Sequence, residues 1–126
     1  MGEKIDKEIK SFILVNIDSV DQLEVLGLLS EHSTVEWTAE AVSRELRSNP
    51  DWAKSQLEFW QDWGLLLLNE NSTFSYRPAN PETAEIIARV VHCYRNNRTS
   101  VINLIYDKPS EKIKGLADAF KIRKEE

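Results

Sequence analysis

Arg47, Lys54 and Arg77 carry cations suited to phosphate oxygens, while Ser55 and Gln61 carry a hydroxyl and an amide suited to base edges. These are the residue types that hold a nucleic acid. Sharing the outward face of the same segment are Asp51, Glu58 and Asp62, so that face presents more negative than positive charge. A carboxylate beside a phosphate is repelled by on the order of 1 kcal/mol per close pair even at water-like dielectric. One acid is tolerable, since cytosine offers it a donor. Three leave two readings open: weak, salt-sensitive DNA contact, or an ordinary solvated surface.

Groups that could support catalysis are not assembled. His92 and Cys93 are adjacent, so on a helix they point about 100° apart and do not share a metal, and His32 lies far away in a turn. There is no C-x-x-C pair, phosphate-cradling glycine loop, G-x-S-x-G elbow or H-E-x-x-H motif. With 4 glycines, a nucleotide loop has little material. The carboxylates are spread over exposed helix faces with no paired, buried setting to shift their acidity. Neither an enzyme nor a metal or cofactor site is expected.

The chain of 126 residues is one domain's worth, and 41% apolar with 29% charged residues is ordinary for a globular fold. No stretch approaches the roughly 18 apolar residues of a membrane span, and "MGEKIDKEIK" is charged where a signal peptide has its apolar core. A cytoplasmic protein without membrane contact is expected, its single Cys93 unable to form an internal disulfide and its "NST" and "NRT" triplets free of glycans. The net charge of -5 is uneven: residues 1–77 hold 7 Lys/Arg against 14 Asp/Glu, whereas residues 78–126 hold 9 against 7. The broad basic patch that usually marks a DNA-binding domain is missing.

The elements that must position these groups follow from periodicity. Ile5, Ile9, Phe12 and Ile13 form the stripe of a short N-terminal helix. Ser19 and Gln22 make a capping box before a helix over about 19–30, with Val20, Leu23, Leu26 and Leu29 at helical spacing. "TVEW" reads as a short extended segment with Val35 and Trp37 inward, and Thr38 then caps a helix over about 39–47 on which Trp37 can staple Val42. "SNP" breaks it; Asn49 and Pro50 start the next helix, which ends at Gly64. "LLLL", "NENS" and "TFSYR" then read as a β-hairpin. Asn80 and Pro81 open a long helix through about Tyr106, and a last short helix carries Ile113, Leu116, Ala117 and Phe120.

Two short helices across a tight break, followed by a glycine-ended helix and a hairpin, resemble a winged helix-turn-helix. Ala53, Leu57, Trp60, Gly64 and Leu65 fall where recognition helices of MarR-like regulators keep small, apolar and glycine residues, and "WTAEAVSREL" is similar to their preceding helix. The tail "VINLIYDKPSEKIKGLADAFKIRKEE" is similar to that of small uncharacterised bacterial winged-helix proteins and adds no mechanism. The resemblance implies a mainly α fold in a single domain over 1–126: an N-terminal helix (1–15), a winged-helix core (19–77) with a small hairpin wing, and C-terminal helices (81–126). It further implies a DNA-binding transcription regulator that forms homodimers through its terminal helices.

In the helix after "SNP", Ala53, Leu57 and Trp60 form the core stripe, and Trp52, Phe59 and Trp63 a second stripe beside it. Either the N-terminal helix covers those aromatics or they form a protein-binding patch, which makes a winged-helix interaction module that leaves DNA alone the competing function. On the long C-terminal helix, Ile87, Tyr94, Asn97 and Val101 run along a stripe available to a twin, with Asn97 either setting register or facing water. Arg89, His92 and Arg95 lie opposite, facing solvent or an acidic partner.

Overall fold

A computed structural model of the chain describes residues 5–107, and its first five helices begin beside polar N-cap side chains. Helix α1 (Lys7–Asn16) starts after Asp6, whose carboxylate accepts the Glu8 N–H at 3.3 Å. Helix α2 (Val20–Glu31) follows Ser19, and the Gln22 side chain reaches back to accept the N–H groups of Asp18 and Ser19 at 2.6 and 3.3 Å. Thr38 accepts the Ala41 N–H at 3.1 Å to open α3 (Ala39–Leu46). Asn49 accepts from Asp51 and Trp52 at 2.7 and 3.3 Å to open α4 (Pro50–Trp63), and Asn80 accepts from Thr83 at 2.8 Å to open α5 (Pro81–Asn96). Each such cap contributes about 1 kcal/mol.

Helix α4 stops at Gly64, whose φ of 102° is taken without strain only by glycine. The Leu65 N–H turns back to the Trp60 carbonyl at 2.9 Å and the chain enters β2 (Leu66–Leu68). Strand β3 (Phe74–Tyr76) returns antiparallel, with Leu66 opposite Tyr76 and Leu68 opposite Phe74. Asn69 closes the loop through its N–H to the Thr73 carbonyl at 2.8 Å, and Ser72 takes the left-handed position at φ 68°. The hairpin is one strand wider than its own residues suggest, because β1 (Glu36–Trp37) pairs with the far edge of β3 in the order β1-β3-β2.

The third helix, expected over about 39–47, runs to Leu46, with Arg47 left-handed at φ 55° just after it. Three expected features are corrected. The first helix starts at Lys7, so Ile5 reaches the core from the preceding chain. Trp37 is buried but Val35, outside the paired residues, is 39% exposed. The long C-terminal helix is broken at Asn97 into α5 and α6 (Arg98–Tyr106). That break lets α6 lie against α1 and bury Val101 and Ile105. The expected helix bearing Ile113, Leu116, Ala117 and Phe120 lies outside the described residues.

The core gathers Ile13 from α1, Leu23, Leu26 and Leu29 from α2, Ala53, Leu57 and Trp60 from α4, and Ile87, Val90 and Tyr94 from α5. Three arginines tie the C-terminal helices to the front of the chain. Arg95 donates to Glu31 at 3.0 and 2.9 Å, passing over Gly27, where a Cβ would meet its guanidinium. Arg98 reaches Glu24 at 3.4 Å, and the Tyr94 hydroxyl donates to the same carboxylate. Arg89 donates to Glu8 at 2.7 Å and also to Asp6. Hydrogen bonds from Arg95 hold the Glu31 carboxyl below its ordinary range. Burial, reinforced by the bond to Glu24, pushes the Tyr94 hydroxyl up to about 12.

Trp60→Ala should cost about 3–5 kcal/mol in urea denaturation, against about 0.5 kcal/mol or less for the exposed Lys54→Ala. A folded-state value above the ordinary 10.0 means that the Tyr94 contribution is complete below that pH and is lost as pH rises toward about 12. Between those values the unfolding free energy should fall more steeply with pH in the natural chain than in Tyr94→Phe; equal slopes would remove the assignment.

Candidate nucleic-acid interface

Ala53, Leu57 and Trp60 are fully buried and Gln56 nearly so, which fixes the inner side of α4 and turns residues 51, 54, 55, 58 and 62 outward. Helix α3 packs against α4 across the turn at Arg47–Asn49, and the hairpin leaves directly from the end of α4. The arrangement is a helix-turn-helix with a wing beside it, and no other described element lies over the outward ridge of α4.

The expected contact residues differ in freedom. Lys54 is exposed and stands 4.0 Å from Glu58 one turn on, an ion pair whose partners are both more than half exposed and which contributes little. Ser55 is exposed, but its hydroxyl donates to the Trp52 carbonyl at 2.7 Å, so a base edge meets its remaining acceptor capacity. Gln61 is half-buried on the flank of the ridge. Arg77 is exposed just past β3, its backbone held at the base of the hairpin by the Leu65 carbonyl at 2.9 Å. Arg47 is exposed in the turn and borders a cleft of about 340 Å³ with Asp21, Glu24, Glu45, Ser48 and Trp52.

Arg44, exposed in the last turn of α3, was missed from the sequence. Its position three residues before Arg47 was the available signal. Neither Arg44, Arg47 nor Arg77 forms an ion pair with another described residue. Against these cations stand Asp51, Glu58 and Asp62 on the ridge. The wing adds no positive charge: residues 65–76 contain no Lys or Arg and one acid, Glu70. Its loop is built on Glu36 of β1, which accepts from Asn71 at 3.3 Å and Thr73 at 3.1 Å.

The second aromatic stripe divides. Trp63 is half-buried and meets Phe12 of α1 edge-on at 5.4 Å, so the N-terminal helix covers that part. Trp52 is half-buried beside the Arg47 cleft. Phe59 stands edge-on to Trp60 at 4.8 Å and remains 39% exposed. The stripe expected to face a twin is also redistributed. Ile87, Tyr94 and Val101 are fully buried in the chain's own core, because α2, α1 and α6 already pack against them. Asn97 is half-buried at the α5–α6 break, its amide 4.0 Å from the Cys93 sulfur. Ile87, Tyr94 and Val101, enclosed in their own core, therefore present no surface to a second copy, while Asn97 keeps a half-buried place at the break.

Among the described residues no group of three His, Cys, Asp or Glu side chains could hold a metal, and no helix is long and apolar enough to cross a membrane. Burial pushes the Cys93 thiol and the Tyr76 hydroxyl up, so neither is activated.

Element order, strand register and the bare face of α4 together define a winged helix-turn-helix with flanking helices. No protein-family model and no curated protein matches the sequence. Among solved structures, a similar one is MepR, a transcription regulator of the Staphylococcus aureus multidrug efflux pump MepA. It aligns with a TM-score of 0.48 at 12% identity, over 89% of this chain and 87% of that one.

The two aromatics on the flank should separate by mutation. Trp63→Ala, which strips the ring packed on Phe12, should cost about 2 kcal/mol or more, and Phe59→Ser about 1 kcal/mol or less, in urea denaturation. Equal losses would mean that Phe59 is a structural residue and not a surface one.

Proposed function

We propose that this chain is a winged-helix regulator of transcription that binds double-stranded DNA with the outward face of α4 toward the major groove and the hairpin alongside. What supports this reading is the exposed ridge of α4 in a chain whose Arg44 in α3, Arg47 in the turn after it and Arg77 just past β3 are exposed and form no ion pair with another described residue. Arg44, Arg47, Lys54 and Arg77 hold phosphates; Ser55 and Gln61 meet base edges.

Repulsion from Asp51, Glu58 and Asp62 weakens each protomer's grip, and pairing two protomers doubles the contacts that oppose it. The helices α1 and α6, which pack on each other, leave Val15 and Tyr106 76% and 71% exposed, which supports joining two copies through these helices. Their α4 helices then need a separation of roughly 34 Å to enter successive major grooves.

The acidic ridge and a wing without Lys or Arg favour a second reading, in which the same surface receives a protein. Retention on mixed genomic DNA decides between them. A regulator should bind at about 50 mM salt and lose orders of magnitude in affinity by about 200 mM. Arg47→Ala and Lys54→Ala should each reduce the salt slope by about 1. A folded chain that is not retained even at the lower salt ends the DNA reading.

A further inference from the structure

The flank of α4 next to the ridge joins an apolar surface to an acidic one. Phe59 is 39% exposed, Trp63 is half-buried, and on the strand that follows, Leu67 and Leu68 are 48% and 47% exposed. Asp62 and Glu58 are exposed along the same helix, Glu58 with only the long ion pair to Lys54. Consecutive residues of a strand point to opposite faces, so at most one of Leu67 and Leu68 can extend the surface of Phe59 and Trp63, and large exposed apolar side chains of this kind mark interaction surfaces.

The chain holds a segment of matching chemistry. Residues 108–126 follow Asp107, and within them Ile113, Leu116, Ala117 and Phe120 recur at helical spacing. Residues 112–124 hold five Lys/Arg against one Asp, the reverse of the excess on α4. The tether is the stretch from Asp107 to Ile113, six residues that cover about 20 Å at about 3.3 Å each, against a radius of gyration near 13 Å for a body of about 100 residues.

We propose that residues 108–126 dock on the Phe59–Trp63 flank of α4 in their own chain, with Ile113, Leu116 and Phe120 against the rings and Lys121, Arg123 and Lys124 beside Asp62 and Glu58. Val15 and Tyr106 offer apolar surface closer to where the segment starts. The exposed charges around them are mixed, however: Lys7, Lys10 and a Glu8 already bound by Arg89 on α1, with single acids, Asp18 and Asp107, just beyond α1 and α6, whereas α4 carries Asp51, Glu58 and Asp62 on one ridge. Docking on α4 shields the aromatic flank from solvent and offsets the charge that opposes a polyanion. It stands whether or not α4 meets DNA.

The test uses the full chain with a photoreactive benzoylphenylalanine at position 120, irradiated in an equal mixture of light and isotope-heavy protein, with adducts located by mass spectrometry. Adducts should fall on residues 59–68 of the same chain. They should drop several-fold in a variant carrying Lys121→Glu, Arg123→Glu and Lys124→Glu, whose apolar stripe is unchanged. Adducts at Val15 or Tyr106, adducts joining light to heavy chains, an unchanged yield in the charge-reversed variant, or no adducts at all would each overturn the proposal.

Discussion

The stacking of Phe12 on Trp60 is the interaction from which the rest of the surface follows. The two rings lie 6.2 Å apart and 15° from parallel, and Trp63 closes edge-on against both at 5.4 Å. Through this contact α1 is set against one side of α4, while Ala53 and Leu57 seat the helix in the core. With the inner and α1-facing sides taken, only one ridge of α4 remains outward. Which side chains reach an incoming partner is therefore decided by aromatic packing on the far side of the same helix. Aromatic pairs of this geometry are worth about 0.5–1.5 kcal/mol beyond the area they bury, so the orientation is well defended.

Charge pairing sets the second constraint. Arg89, Arg95 and Arg98 on α5 and α6 are engaged by Asp6, Glu8, Glu24 and Glu31 on α1 and α2. These pairs commit three arginines to the scaffold and neutralise acids in and just before α1 and in α2. The acids of α4 are left nearly alone, and the arginines of α3 and the hairpin are left free to act. A net count of charge sees none of this arrangement, because the same totals fit a surface with its cations dispersed and one with them locked into the scaffold.

Much of the fold was legible in local chemistry. The caps at Ser19, Thr38, Asn49 and Asn80, the glycine stop at Gly64 and the hairpin between Leu66 and Tyr76 depend on interactions within a few residues of chain. Reading went wrong where a distant element decided the outcome. Nothing near Asn97 announces a break as proline or glycine would; α6 turns away because Val101 and Ile105 bury their side chains against a body that includes α1. Pairing of β1 with β3 joins strands separated by two helices, and no local pattern encodes it.

For the candidate interface, the amino-acid order alone determined which residues of α4 face inward and that its outward ridge is acidic, since helical periodicity is a property of consecutive residues. Only the tertiary structure decided that Arg44, Arg47 and Arg77 stay unpaired while Arg89, Arg95 and Arg98 do not, that Phe59 remains open while Phe12 meets Trp63, and that Ile87, Tyr94 and Val101 belong to the chain's own core. Ion pairs, ring contacts and burial are relations between elements remote in sequence, fixed by how the helices pack and not by the order of residues within any one of them.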